Sequence, residues 1–450
     1  MRAVQVVGMA LAPSLVLCVL GGVSAPVSAD ELILQAKDSD EIALEIEYPT
    51  AGSVVSDFGC GCFVAGRAFR GGFDIALVLD TSGSTAAPSG ADINRNGTIG
   101  ARRGVGQNWI PGTRSSDSGD SVLAAEVAAA ERLLKDLDPR ITRVAVISFS
   151  GDFEPGSSFW RRGQGERPAV ITHLPLTHDF RRVRDALRGV RLAGSDGGTD
   201  MAAGVRRGFV ELSGLRGARS ERNYRNQLLM FFFTDGVLER GKDYMDLLAA
   251  ARRAHKLEVR VHTFAIGDSA VRLPVAAVQL ADMTGGEFTP VVNPGELSAV
   301  LETIEFANLE QISIRSRPLG ADAELVHWAA DGSWGGFVKL ATGTNRIEVS
   351  ARLADGSVVT EFVDVKGNHS ETPASIPNPL TDRYTRLRKD CLRRVRGEAI
   401  MTSRAADRRD LKKLKLEIER ERARARQRAA EQRKSLQLEV EDEDEQPDRR

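Results

Sequence analysis

Cysteine and histidine are scarce, with four and six residues in a chain of 450. The histidines form no pair at metal-ligating spacing, no Gly-x-Ser-x-Gly nucleophile elbow occurs, and no phosphate-cradling Gly loop precedes a helix, so enzyme chemistry is not expected. Long apolar runs are missing beyond the N-terminus. There, Arg2, a largely apolar stretch from Val4 to Leu20 and the small residues Val27-Ser28-Ala29 read as a secretory signal (1–29) ending before Asp30. Bulky Leu17 argues against a lipid anchor on Cys18. The mature chain is expected outside the cytoplasm, secreted, periplasmic or at the cell surface, with no membrane span. It keeps Cys60, Cys62 and Cys391, an odd number. A bridge between Cys60 and Cys62, two apart on one strand face, would be strained, and zinc needs more ligands than they supply, so a structural or partly oxidised pair is expected.

What the chain does have is three short polar pieces that fit together. Asp80-Thr81-Ser82-Gly83-Ser84 follows the apolar run Phe73 to Leu79; Thr199 lies in Gly197-Gly198-Thr199-Asp200; and Asp235 in Thr234-Asp235-Gly236 follows Leu228 to Phe233. Asp80 and Asp235 therefore sit where buried strands end, the edge at which parallel α/β sheets bind ligands. Hydroxyls and carboxylates are hard oxygen donors, which favours Mg²⁺, with Ca²⁺ and Mn²⁺ as alternatives, over Zn²⁺.

In residues, order and spacing the three pieces resemble the metal-ion-dependent adhesion site of von Willebrand factor A (vWA) domains. The resemblance implies that the hydroxyls of Ser82, Ser84 and Thr199 touch the cation while Asp80 and Asp235 mostly hold its waters. Neutral oxygens leave the cation's charge poorly neutralised, so an acidic side chain from a protein partner can complete the octahedron. The implied function is metal-dependent protein binding or adhesion by a secreted or cell-envelope protein. The alternative is a structural envelope scaffold whose metal site only stabilises its domain.

The stretch between the pieces alternates strand and helix patterns, as βαβ units require. Strands are expected at Phe73–Leu79, Arg143–Phe149, Ala169–Leu174, Leu228–Thr234, Val259–Ile266 and Glu287–Val292, several nearly continuous apolar runs as in buried parallel sheets. Helices are expected at Ser121–Leu137, Phe180–Val190, Met201–Leu212, Tyr244–His255, Pro274–Met283 and Pro294–Phe306. The fold class is α/β, a doubly wound Rossmann-like vWA domain over 71–307.

Downstream, short alternating segments at Ile312–Arg315, Ala323–His327, Gly336–Leu340, Asn345–Leu353 and Val358–Val365 are separated by Gly-containing turns, an all-β pattern. Gly332-Ser333-Trp334-Gly335-Gly336-Phe337 through Asn345–Val349 resembles the second half of a bacterial immunoglobulin-like sandwich (308–367). Upstream, Leu44–Gly52 and Phe63–Ala68 resemble its opening strands (43–70). Together the parts span about 90 residues, near the roughly 100 of such a sandwich. The expectation is a vWA domain inserted in an immunoglobulin-like domain; the alternative is an unstructured leader with a separate small β domain beside the vWA domain.

A second metal site is read in the long connection 85–119 after the first strand. Asp92-Ile93-Asn94-Arg95-Asn96-Gly97-Thr98-Ile99 carries oxygen ligands at positions 1, 3 and 5, Gly at 6 and an apolar residue at 8, as in an EF-hand or dockerin-type calcium loop, with Thr98 a further candidate ligand. Arg103 stands where the bidentate acid belongs, with Asp117 or Asp120 as substitutes; the competing reading is a plain Asx-rich turn.

Residues 368–450 are of another character: a linker, a charged helix and an acidic tail. Pairs such as Asp410/Lys413, Glu417/Arg420, Glu419/Arg422 and Glu421/Arg424 support a solvated helix, and Leu411, Leu414 and Ile418 give an apolar seam that Ala425 and Ala429 continue weakly, too little for a sustained coiled coil. Interleaved acids and the lack of stacking aromatics oppose nucleic-acid binding. Glu439–Glu445 is expected to be disordered.

Overall fold

The computed structural model describes residues 43–57, 61–69, 71–102, 114–135, 137–151, 168–236, 241–301, 304, 309–323, 325–329, 331–353, 356–369 and 401–444. The expected signal, Cys60, Cys391 and Arg103 lie outside them. Three strands come first: β1 (Ala43–Tyr48), β2 (Val54–Asp57) and β3 (Cys62–Phe69). The chain then runs through β4 (Phe73–Asp80), α1 (Val122–Leu133), β5 (Thr142–Phe149), β6 (Val170–Thr177), α2 (Phe180–Ala193), α3 (Met201–Ser213) and β7 (Gln227–Thr234). It continues through α4 (Gly241–Lys256), β8 (Val259–Ile266), α5 (Gly267–Arg272), α6 (Val275–Thr284), β9 (Phe288–Val291) and α7 (Leu297–Leu301). Strands β10 (Leu309–Ser316), β11 (Ala321–Asp322), β12 (Leu325–Trp328), β13 (Ser333–Val338), β14 (Gly343–Leu353) and β15 (Val358–His369) follow, then the long helix α8 (Met401–Asp444).

Among the described residues, β4 to β9 form one six-stranded sheet in the order β6-β5-β4-β7-β8-β9. Every pairing in it is parallel except β5 with β6. The run of β4 is buried at every position because both its faces are covered. Phe73, Ile75, Leu77 and Leu79 pack with α1, α2 and α7 on one side, while Ala76 and Val78 pack with α3, α4 and α6 on the other. This is a doubly wound, Rossmann-like α/β fold. Its strand order reverses at β4 and β7, and the crevice at such a switch point lies at the carboxyl ends of those strands.

Two expectations within this domain are corrected. The segment expected as a strand at Ala169–Leu174, among runs read as a parallel sheet, is the antiparallel edge strand β6, in which only Leu174 is buried; an antiparallel strand at a sheet edge can face water. The helix expected over Pro294–Phe306 is a 3-10 turn at Pro294–Glu296 followed by the short α7.

Strands from both ends of this domain share two further sheets, β1-β3-β13-β12 and β11-β10-β14-β15-β2. Leading strand β3 lies between β1 and β13, antiparallel to both, and leading strand β2 pairs in parallel with β15. The two sheets close on one core in which Leu44 and Val64 meet Ile312, Trp334, Ile347 and Val349. Gly66 makes the β1–β3–Trp334 contact fit, since a Cβ there would lie 1.9 Å from the Glu45 carbonyl oxygen and 2.6 Å from the Trp334 ring. Cys62 is buried in the same core. Polar links join these sheets to the α/β domain: among the described residues, Arg140 pairs with Glu47 at 2.8 Å, and the Asp138 amide donates to Asp331 at 2.5 Å.

Helix α8 is solvated over most of its described side chains, as its composition suggested, but one face of it is docked. Ile418 packs into the α1/α2/α7 side of the core, and Ala425 and Ala429 pack with Tyr244, Val271, Val278 and Phe288. Arg422 reaches Glu287 of the α6–β9 turn and, at 3.1 Å, Thr289 of β9. The weak apolar seam thus docks on the sheet edge at β9 and on α6. The acidic segment expected to be disordered continues this helix as far as Asp444; its Glu residues favour helix, and no Gly or Pro interrupts before Pro447.

Candidate metal site and the loop beside it

Asp80 is the last residue of β4 and is wholly buried. Its Oδ1 accepts the Ser82 amide at 2.8 Å and its Oδ2 the Thr234 hydroxyl at 2.7 Å, so the carboxylate is pinned between the ends of β4 and β7. Beyond it the chain turns: Ser82 Oγ lies 3.0 Å from Ser84 Oγ, and Ser84 Oγ donates to Asp235 Oδ1 at 2.7 Å. The loop at the start of α3 closes the third side. The Gly83 amide donates to the Gly197 carbonyl at 2.9 Å, the Asp196 amide to the Thr81 carbonyl at 2.7 Å, and the Thr199 methyl lies so near Gly236 that a Cβ there would stand 2.6 Å from it. The five residues Asp80, Ser82, Ser84, Thr199 and Asp235, separated by as much as 155 positions, share one end of the sheet. Ser82 is buried, Thr199 and Asp235 are half-buried, and Ser84 is exposed, so the cluster opens to solvent on one side.

The electrostatics of this cluster are one-signed. Burial pushes Asp80 up to about 6, opposed by hydrogen bonds from Ser82 and Thr234. Burial, then the charge of Asp80, push Asp235 up to about 7. No basic side chain is among the groups acting on either carboxyl. A divalent cation would supply the missing charge, and the hard-oxygen donor set fits Mg²⁺.

A third carboxylate went unread in the sequence. Glu126, on α1, is fully buried behind the loop. Neither of its oxygens has a hydrogen-bond partner. Burial, then the charges of Asp80 and Asp235, push its carboxyl well above the usual range, opposed by the nearby Asp80 backbone. The signal was there: Glu126 is the one acid on the apolar side of Val122-Leu123-Ala124-Ala125-Glu126-Val127-Ala128-Ala129-Ala130, three residues from Leu123 and four from Ala130.

The connection after Ser84 is folded where it is described. The Ser115 amide donates to the Ala86 carbonyl at 2.8 Å and the Ser89 amide to the Asp120 carbonyl at 2.7 Å. Asp92 accepts the Asn96 and Gly97 amides at 3.0 and 2.8 Å. Asn94 Oδ1 accepts the Asn96 amide at 2.9 Å, and Asn96 Oδ1 accepts the Thr98 amide at 2.8 Å. Asp117 Oδ2 receives the side-chain amides of Asn94 and Asn96 at 2.9 and 2.6 Å, and these bonds, Asn94 foremost, hold its carboxyl below the usual range. Buried Asp120 accepts the amides of Ile93 and Gly100 at 2.8 and 2.9 Å. Asn94 and Asn96 are thus brought to Asp117, and Asp92 is tied to the same turn through the Asn96 and Gly97 amides, whereas Thr98 contributes only its backbone to these bonds.

Residues 114–283 match the family model of the von Willebrand factor type A domain. The matched range contains Thr199 and Asp235 and begins after the Asp80 loop and most of the inserted connection. No curated protein matches the chain. Similar solved structures include an aerotolerance-related membrane protein from Bacteroides fragilis NCTC 9343, 16% identical, covering 51% of this chain and 96% of that one with a TM-score of 0.33. The pilus adhesin SpaC from Lactobacillus rhamnosus GG, in its open conformation, is 12% identical and covers 75% of this chain and 50% of that one, with a TM-score of 0.37. The human COPII-coat protein Sec24c is 13% identical, covering 70% of this chain and 45% of that one at a TM-score of 0.31. These scores carry no argument about function. Domains of the matched type typically bind protein partners, and the match indicates no enzyme family; among the described residues no helix is long and apolar enough to cross a membrane.

Proposed function

We propose that this chain is a secreted or cell-envelope protein that binds a protein partner through a divalent cation, Mg²⁺ first, held by Ser82, Ser84, Thr199, Asp80 and Asp235. The observation that carries this reading is the convergence of Ser82 Oγ, Ser84 Oγ and Asp235 Oδ1, linked by contacts of 3.0 and 2.7 Å, beside buried Asp80 and open to solvent at Ser84. Among the described residues no three acidic, His or Cys side chains meet closely enough to ligate one ion by themselves. Hydroxyls and waters must therefore fill much of the shell, which leaves the cation attractive to an incoming carboxylate. The bound cation would supply Lewis acidity toward that carboxylate. The chain's own residues would do the rest: Asp80 is oriented by Ser82 and Thr234, and the Gly83–Gly197 bond holds the Thr199 loop in place.

Shared sheets and a shared core support the second part of the reading, a vWA domain inserted into an immunoglobulin-like sandwich whose first strands are β1 to β3. The loop of Asp92, Asn94 and Asn96, with the Thr98 carbonyl and Asp117, is proposed as a Ca²⁺ site on the rim. The test of the main reading is capture of an acidic-peptide ligand, selected on the Mg²⁺-loaded protein, before and after EDTA. Capture lost in EDTA and restored by Mg²⁺, with the fold intact by circular dichroism, is expected; capture indifferent to EDTA would leave only a stabilising role for the metal.

A further inference from the structure

The residue least explained by folding alone is Glu126. Burying a carboxyl with no hydrogen-bond partner is costly, and placing it beside two other carboxyls adds repulsion. A purely structural helix position here would take Ala or Leu, as its neighbours do. Glu126 also lies buried on helix α1, which packs directly against the 3-10 turn at Gly83–Ala86 and against β4, the strand that ends at Asp80. No Lys, Arg or His is among the groups acting on it.

We propose that Glu126 is a positioning carboxylate of the cation site, lying behind Asp80 and the Ser82–Ser84 loop and helping to hold the cation without ligating it directly. This rests on the reading of Asp80 to Asp235 as a metal site. The role of Glu126 is indirect, because among the described residues it does not converge with Asp80 and Asp235 closely enough for all three to ligate one ion. Groups beyond the immediate ligands orient waters and ligands, and losing one typically lowers metal affinity by about 10–100-fold. A third negative charge also retains a divalent cation more firmly than two carboxylates would, at the cost of strain when the cation is absent.

The consequence is a pair of effects with opposite signs. Glu126→Gln keeps the size and removes the charge, so it should weaken Mg²⁺ binding by about tenfold or more while leaving the metal-free protein as stable as the parent or more so. Calorimetric titration with MgCl₂ and thermal melting with and without Mg²⁺, on the full mature chain, read both effects. Asp80→Ala is run alongside. If the parent binds Mg²⁺, Asp80→Ala loses it and Glu126→Gln binds within twofold of the parent, the metal site stands and the role of Glu126 is overturned. If the parent itself takes up no Mg²⁺, the site reading falls and this proposal falls with it. Should the Gln variant not fold, Glu126→Leu, apolar in an apolar helix side, is titrated in its place: a tenfold loss of Mg²⁺ affinity supports the role of Glu126, and binding within twofold of the parent overturns it.

Discussion

Asp80 and Asp235 lie in an environment that favours their protonated forms. Their folded-state values of about 6 and about 7 stand above the value near 4 of an unfolded chain, so without metal the folded state binds protons that the unfolded state has released. The stability contributed is complete below about pH 4 and is lost as pH rises through 6 and 7. Metal-free protein should therefore melt at progressively lower temperature from pH 5 to pH 8, by several degrees, given that ~1 kcal/mol moves a domain of 150–250 residues by about 2–4 °C. Mg²⁺ should reverse the trend at the upper end. An Asp80→Asn, Asp235→Asn double variant should keep only the shallower trend that buried Glu126 contributes and should show no reversal by Mg²⁺; a melting curve in which parent and double variant run parallel across this range would contradict the assignment. These two acids were legible because each ends an apolar run. Glu126 was not, since a motif is read along the chain and this side chain joins the site from one helical turn inside α1.

At the scale of elements, the connection between Ser84 and α1 is held by acids that serve two ends at once. Asp120 caps amides at Ile93 and Gly100, and Asp117 gathers Asn94 and Asn96. If Ca²⁺ completes this arrangement, its binding should protect the 85–119 segment from protease, because ordering a loop of that length is otherwise costly. The triple variant Asp92→Ala, Asn94→Ala, Asn96→Ala should lose the protection; equal cleavage of the parent with and without Ca²⁺ would reduce the loop to a network of Asx turns. Most strands and helices of the α/β domain were readable from apolar runs and 3.6-residue spacing. The antiparallel direction of β6 and the docking of α8 were not. Strand direction depends on the connection rather than on the strand's own residues, and a seam of Ile418, Ala425 and Ala429 is too thin to name what it packs against.

At the scale of the whole molecule, strands on either side of the α/β domain complete one another. Removing residues before Gly71 should strip β13 of β3 and β15 of β2, opening a core that includes Trp334, Ile347 and Val349. The loss is large beside the marginal stability of a domain. A chain starting at Gly71 should expose hydrophobic surface to dye in its β region while its Mg²⁺ titration is retained. Cooperative melting of an intact downstream domain in that chain would show that the two parts are independent. The downstream strands were legible from alternation and Gly turns, and so was the resemblance of the leader to opening strands. Their pairing was not, because nothing local in Cys62–Phe69 encodes a partner as distant as Ser333–Val338.

That pairing also orders events in time. The ribosome completes β3 at Phe69 and does not begin its partner β13 until Ser333. At roughly 5–20 residues per second this is a wait of about 10–50 seconds. During it the α/β domain can close, since its own strands are all made, while β3 has no neighbour on its β13 side and its apolar face has no opposing sheet. A chain that folds as it emerges would therefore close its middle first, and its first-made strands would be among the last to find their place.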